Sequence, residues 1–125
     1  MPKVEELLIM KAELIRFNYN DEDACIREVK IDGLQLRYIE NQTPKICLAA
    51  VKNFGMALAY VKEQTELICM EAVNQYGIAL QYVKEPTLDI CICALRQNIK
   101  AIMYVPDDMI SEIAELLEDY DKEQK

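Results

Sequence analysis

Two consecutive stretches decide the fold: ICLAAVKNFGMALAYVKE at residues 46–63 and ICMEAVNQYGIALQYVKE at residues 68–85. The second repeats the first at an offset of 22 residues, with no gap. Extended in both directions, the offset lines up four units over residues 21–106. One column is Cys25, Cys47, Cys69, Cys91, followed four residues on by Val29, Val51, Val73, Leu95. Later columns are Gly33, Gly55, Gly77 (broken by Ile99), then Leu36, Leu58, Leu80, Ile102, and finally Ile39, Val61, Val83, Val105. An i to i+4 spacing puts Cys and Val on one face of a helix, and the i to i+3 spacing of the later pair does the same for a second, shorter helical segment. Two apolar stripes separated by a Gly describe a helix–turn–helix unit. Repeated four times, they describe an all-α stack, a short α-solenoid.

The Gly column is read here as a helix terminator in the left-handed backbone region; before Ile99 either Asn98 takes that role or the last pair of helices runs on. Around the four units the pattern weakens. Residues 1–20 read as a degenerate leading unit that caps the stack, with Leu7, Leu14 and Phe17 in the repeat frame. Residues 107–125 read as an acidic capping helix, half a fifth unit, with Ile113 and Leu117 where Cys and Val would fall. Terminal caps are required because an apolar unit face would otherwise meet water.

The units resemble the short helical repeats of the domain-of-unknown-function family numbered 4116, found in large DNA viruses, phages and some bacterial proteins. The residues that carry the resemblance are Ala50-Val51, Gly55, Leu58 and Tyr60, and again Ala72-Val73, Gly77, Leu80 and Tyr82. It covers residues 21–106. The first unit departs with Glu28 in place of the Ala, and the fourth at Ile99. The resemblance implies a helical repeat fold and no particular activity.

Composition narrows the function classes. A chain of 125 residues is read as one domain, residues 1–125, large enough to bury its own core. With 52% apolar residues, three Gly, four Pro and no Trp, it suits helices joined by short turns. The net charge of −8 is unevenly placed. Residues 1–20 carry three basic and three acidic side chains, residues 21–106 nine and eleven, and residues 107–125 two and eight. A near-neutral body offers no basic face for direct nucleic-acid binding. The N-terminus is charged and amphipathic, and no apolar run is long enough for a membrane span, so a cytoplasmic protein of a bacterial or host cell is expected. Five Cys, four of them once per unit, read as buried thiols in a reducing compartment.

Chemistry-bearing patterns are sparse. There is no His, which removes His-based catalysis and the commonest metal ligand. Cys91 and Cys93 point about 200° apart on a helix, the wrong arrangement for a zinc or redox pair. Each Gly stands alone, so no phosphate loop is present. No catalytic residue, metal or cofactor is expected. Two columns remain outside the packing pattern. Tyr38, Tyr60, Tyr82 and Tyr104 form one, a residue type that gives binding surfaces contact area at low entropic cost. Lys30, Lys52 and Arg96, with Lys62 and Lys84 in a parallel row, form the other. The expected function is non-enzymatic protein binding through these columns or through the exposed loops, phage- or virus-encoded and directed at a host factor. The alternatives are an acidic inhibitor of a nucleic-acid-handling complex, such as a bacterial defence system, acting by phosphate mimicry, and an enzyme with an unfamiliar site.

Overall fold

The computed structural model describes residues 2–19 and 21–124, with side chains placed for residues 2–14, 21–119 and 122–123. It is a stack of helices in series without strands among the described residues. The α-helices are α1 (Val4–Tyr19), α2 (Glu22–Ile31), α3 (Pro44–Asn53), α4 (Glu66–Gln75), α5 (Leu88–Gln97) and α6 (Ile110–Gln124). After each of α2 to α5 comes a six-residue 3₁₀ helix: η1 (Gly33–Tyr38), η2 (Gly55–Tyr60), η3 (Gly77–Tyr82) and η4 (Ile99–Tyr104). A short 3₁₀ turn, η5 (Asp107–Met109), leads into α6. Consecutive α-helices pack side by side, as do consecutive 3₁₀ helices. The unit is therefore an α-helix in one layer and a 3₁₀ helix in the other, with the core between them.

Each boundary has a local cause. Thr43, Thr65 and Thr87 cap α3, α4 and α5, their hydroxyls accepting from the N–H of Ile46 (3.3 Å), Ile68 (3.2 Å) and Ile90 (3.3 Å). Asp21 caps α2 by accepting from Asp23 N–H at 2.9 Å. These caps satisfy N–H groups that a helix start leaves unpaired. Each of α2 to α5 then ends on one extended residue, Asp32, Phe54, Tyr76 or Asn98, whose N–H still donates to the carbonyl four residues back. A single extended residue reverses the chain into the 3₁₀ helix.

The core contains the repeat columns. Cys25, Cys47, Cys69 and Cys91 are buried, as are Val29, Val51, Val73 and Leu95, and Leu36, Leu58 and Leu80. Ala50, Ala72 and Ala94 join them, together with Ile46, Ile68 and Ile90. The core holds no buried charged or polar residue among those described. Ile102 is the exception within its column, 42% exposed, because no further six-residue 3₁₀ helix packs beside η4.

The glycine column has a different cause from the one expected. No described Gly, and no other described residue, has a positive φ, and Asn98 is extended at φ −155°. What these positions require is space. A Cβ on Gly33 would lie 2.5 Å from the Ala50 carbonyl oxygen, one on Gly55 2.7 Å from that of Ala72, and one on Gly77 2.5 Å from that of Ala94. Each Gly lets the next unit's α-helix close onto the start of its 3₁₀ helix. At Ile99 the following helix, α6, does not close onto η4 in this way, so a side chain fits and is 68% exposed.

The N-terminal segment also departs from the expectation. Instead of a degenerate two-part unit it is one uninterrupted helix that touches α2. Leu7 is 50% and Leu14 62% exposed, so neither takes a core position; the side chain of Phe17 lies outside the described residues. The repeat frame explains the difference. Lys11 stands where the inner units have their close-approach Gly, and Glu28 where they have a buried Ala, so α1 lacks the residues with which the inner units nest. At the other end Ile113 is buried and Leu117 half-buried, as the half-unit reading requires.

Side-chain amides tie neighbouring units together. Gln42 donates through Nε2 to the Tyr60 carbonyl (2.7 Å) and accepts from Lys62 N–H (2.9 Å). Gln64 makes the same pair with Tyr82 (2.7 Å) and Lys84 (2.9 Å). On the opposite edge Asn53 accepts from Gly33 N–H and donates to the Lys30 carbonyl, both at 2.8 Å, and Gln97 accepts from Gly77 N–H. Next in the glutamine column is Pro86, which cannot make this clamp. Gln64→Ala removes two interunit bonds and leaves their backbone partners to water; a loss of about 1–2 kcal/mol is expected, read as a lowered urea midpoint with unchanged m-value.

Candidate binding surface

The outer faces of the α-helices carry a further column, outside both the buried set and the Tyr and Lys rows. It is Ile26, Leu48, Met70 and Ile92, each directly after a Cys of the buried column. Adjacent residues on a helix lie about 100° apart, so both cannot point inward. All four are half-buried and rest on the core from outside. The signal for them is present in the sequence: a second apolar residue in every unit, at the same 22-residue spacing.

The two ends of this column differ in charge. Over α2 and α3 the surface forms an open groove of about 400 Å³, floored by Ile26, Leu48 and Ala49 and bordered by Lys30, Lys45 and Lys52. Over α4 and α5 it forms a wider cleft of about 850 Å³, walled on one side by Leu116 of α6. That cleft is floored by Met70, Ile92 and Cys93 and bordered by Glu66, Asp89, Asp119 and Glu123, with Arg96 among them. One continuous helical face therefore runs from a basic groove to an acidic cleft. Cations along the last turns of α2 and α3 also suit the negative end of each helix dipole.

The tyrosines and lysines singled out from the sequence fall into three separate groups. Lys30, Lys52 and Arg96 border the apolar column of the α layer. Tyr38, Tyr60, Tyr82 and Tyr104 each end a 3₁₀ helix in the other layer. Tyr38 is 54% exposed, with the Arg37 guanidinium 4.6 Å above its ring, and Tyr60 and Tyr104 are also exposed; Tyr82 is half-buried against the core. Lys62 and Lys84 lie in the connecting loops, where their ammonium groups donate to the carbonyls of Glu40 (2.9 Å) and Lys62 (3.4 Å). Those two lysines cover loop carbonyls of the preceding unit.

The thiols are poor nucleophiles. Burial pushes the Cys47 thiol up to about 11, with Glu63 adding to the effect against a backbone hydrogen bond that lowers it. Burial likewise raises Cys25, Cys69, Cys91 and Cys93. Cys47 and Cys69 each place Sγ 3.5 Å from the Oε1 of their clamp glutamine. A thiolate is therefore disfavoured in the folded chain relative to the unfolded one. The contribution to stability is complete below the ordinary thiol value of 9.0 and is lost as pH rises toward the folded value. Urea midpoints should hold from neutral pH to about 9 and then fall, at up to about 1.4 kcal/mol per pH unit for each buried thiol, and fall less in Cys47→Ala.

Among the described residues no helix is long and apolar enough to cross a membrane, and no group of three His, Cys, Asp or Glu is placed to hold a metal ion. The architecture defines a helical repeat protein, built from α and 3₁₀ helices in alternation, with a groove along its α layer. Within that class the chain belongs to the family described as Domain of unknown function (DUF4116), whose model matches residues 43–88 and again residues 65–110. The second match starts 22 residues after the first, one structural unit on. No curated protein and no solved structure gives a significant match.

Proposed function

We propose that this chain is a non-enzymatic protein-binding module that works through the outer face of its α layer. The observation that carries the reading is the apolar column Ile26, Leu48, Met70, Ile92, left open along a packed stack and bordered by charge of opposite sign at its two ends. Stacked repeats present such a surface at little entropic cost, because caps, glycine contacts and glutamine clamps already hold the helices in place. The column has the make-up of an interaction surface, apolar at the centre and polar at the rim. The absence of His and the raised thiols argue against nucleophilic or acid–base chemistry. The natural setting that suits the family resemblance is a phage- or virus-encoded protein acting on a host factor in the cytosol.

Affinity capture with the full chain, followed by mass spectrometry, tests this. A partner retained by the parent chain and lost by a folded Met70→Lys variant is the expected result. Identical captures by the two would show that the column is not the binding face. A second reading rests on the carboxylates Glu66, Asp89, Asp119 and Glu123 around the acidic cleft, which suit a basic nucleic-acid groove. Under that reading the captured protein is a nucleic-acid-handling complex, released by raised salt and by excess DNA.

A further inference from the structure

Resting on the binding-module reading, we infer that the basic groove over α2 and α3 is a docking site for an acidic amphipathic helix of a partner protein. Its floor is a short apolar strip, Ile26 of α2 with Leu48 and Ala49 of α3, half-buried and without a covering element among the described residues. The exposed ammonium groups of Lys30, Lys45 and Lys52 stand around it. A segment that buries one or two large apolar side chains on the floor brings its flanking positions against these three cations. Acidic residues there are attracted and basic ones repelled, so the groove selects charge as well as shape. A helix fits this requirement because residues at i, i+3, i+4 and i+7 share one face, with carboxylates on the bordering positions.

At the other end of the column Leu116, Asp119 and Glu123 of α6 form one wall of the open cleft over Met70 and Ile92, so an acidic helix lines that end. Over α2 and α3 the equivalent positions, two units earlier, are Ile26 and Leu48, and no α6 residue lines the groove there. Salt is expected to weaken the contact, since three solvent-exposed lysines supply the charge selection.

A phage-displayed library of randomised helical peptides, selected against the full chain, tests the inference while the natural partner is still unidentified. The expected winners are net acidic with apolar residues at helical spacing. Their capture should fall at least about tenfold on Lys45→Glu/Lys52→Glu and stay unchanged on Lys100→Glu, which alters an exposed lysine outside the groove. Circular dichroism of both variants establishes that the fold is retained. Basic or neutral winners overturn the inference, as do acidic winners captured equally by both variants; either result leaves the binding-module reading standing on the partner capture above. A selection without enrichment over bare phage overturns the inference as well.

Discussion

Val73→Asp is expected to leave the chain unfolded at 25 °C. Val73 is 0% exposed on α4, in the column between Val51 and Leu95, and the described core offers no charged or polar side chain to receive a carboxylate. An unpaired charge there must either stay ionised in an apolar site or take up a proton at a cost. Together with the lost packing, this amounts to about 4–5 kcal/mol or more. That is most of the stability of an ordinary small domain. Position matters too. In a stack each unit is held by its neighbours, so a break in a central unit uncouples both sides, where a terminal one would only fray. Far-UV circular dichroism checks the result. Helical signal and melting close to those of the parent would mean that the column faces outward. Val73→Ala, a cavity of two methyl groups, should cost only about 1–3 kcal/mol and stay folded.

Gly55→Ala is the second large effect, and it separates two explanations of the glycine column. Were Gly55 holding a left-handed turn, the strain would be in the backbone; the structure places no Gly at positive φ. The added methyl would instead meet the Ala72 carbonyl oxygen at 2.7 Å and Tyr76 Cβ at 3.1 Å. That carbonyl already accepts the N–H of Tyr76 at 2.9 Å, so moving it loosens the end of α4. Overpacking of this kind costs about 1–3 kcal/mol, against about 0.4–1 kcal/mol recovered from a less flexible unfolded chain. A net loss of about 1–2 kcal/mol is expected from urea unfolding. Ile99→Ala, in the same column but at a side chain 68% exposed, should change stability by no more than about 0.5 kcal/mol. Equal losses at both positions would rule out the close-approach explanation.

Much of the architecture is legible because a 22-residue period carries its own internal controls. Four Cys, four Val or Leu and three Leu at one spacing place the inward faces, and the structure buries them there. The second segment of each unit is legible as helical, yet not as 3₁₀. That choice depends on the single extended residue before it and on contact with the next 3₁₀ helix, and neither has a signature in six residues. The glycine column is visible and its cause is not, because a Gly that relieves a contact and a Gly that turns the chain look alike in sequence. The apolar column Ile26, Leu48, Met70, Ile92 is visible as well. Its outward direction follows only once Cys and Val are known to face in. Tyr and Lys columns share a period, which suggests a single surface. The structure puts them in different layers and loops, since equal spacing along the chain says nothing about angle around the stack.

By itself, then, the sequence determined the unit, its repeat number over residues 21–106 and the buried side chains, because periodic burial must be written into every copy of a repeat. Tertiary structure alone decided which carbonyl each Gly must admit, which glutamine clamps which loop, and that the outer helical face changes from basic to acidic along its length. Those are relations between units, 18 to 23 residues apart for the interunit bonds of Gln42 and Asn53, and they come into being only when one unit lies on the next.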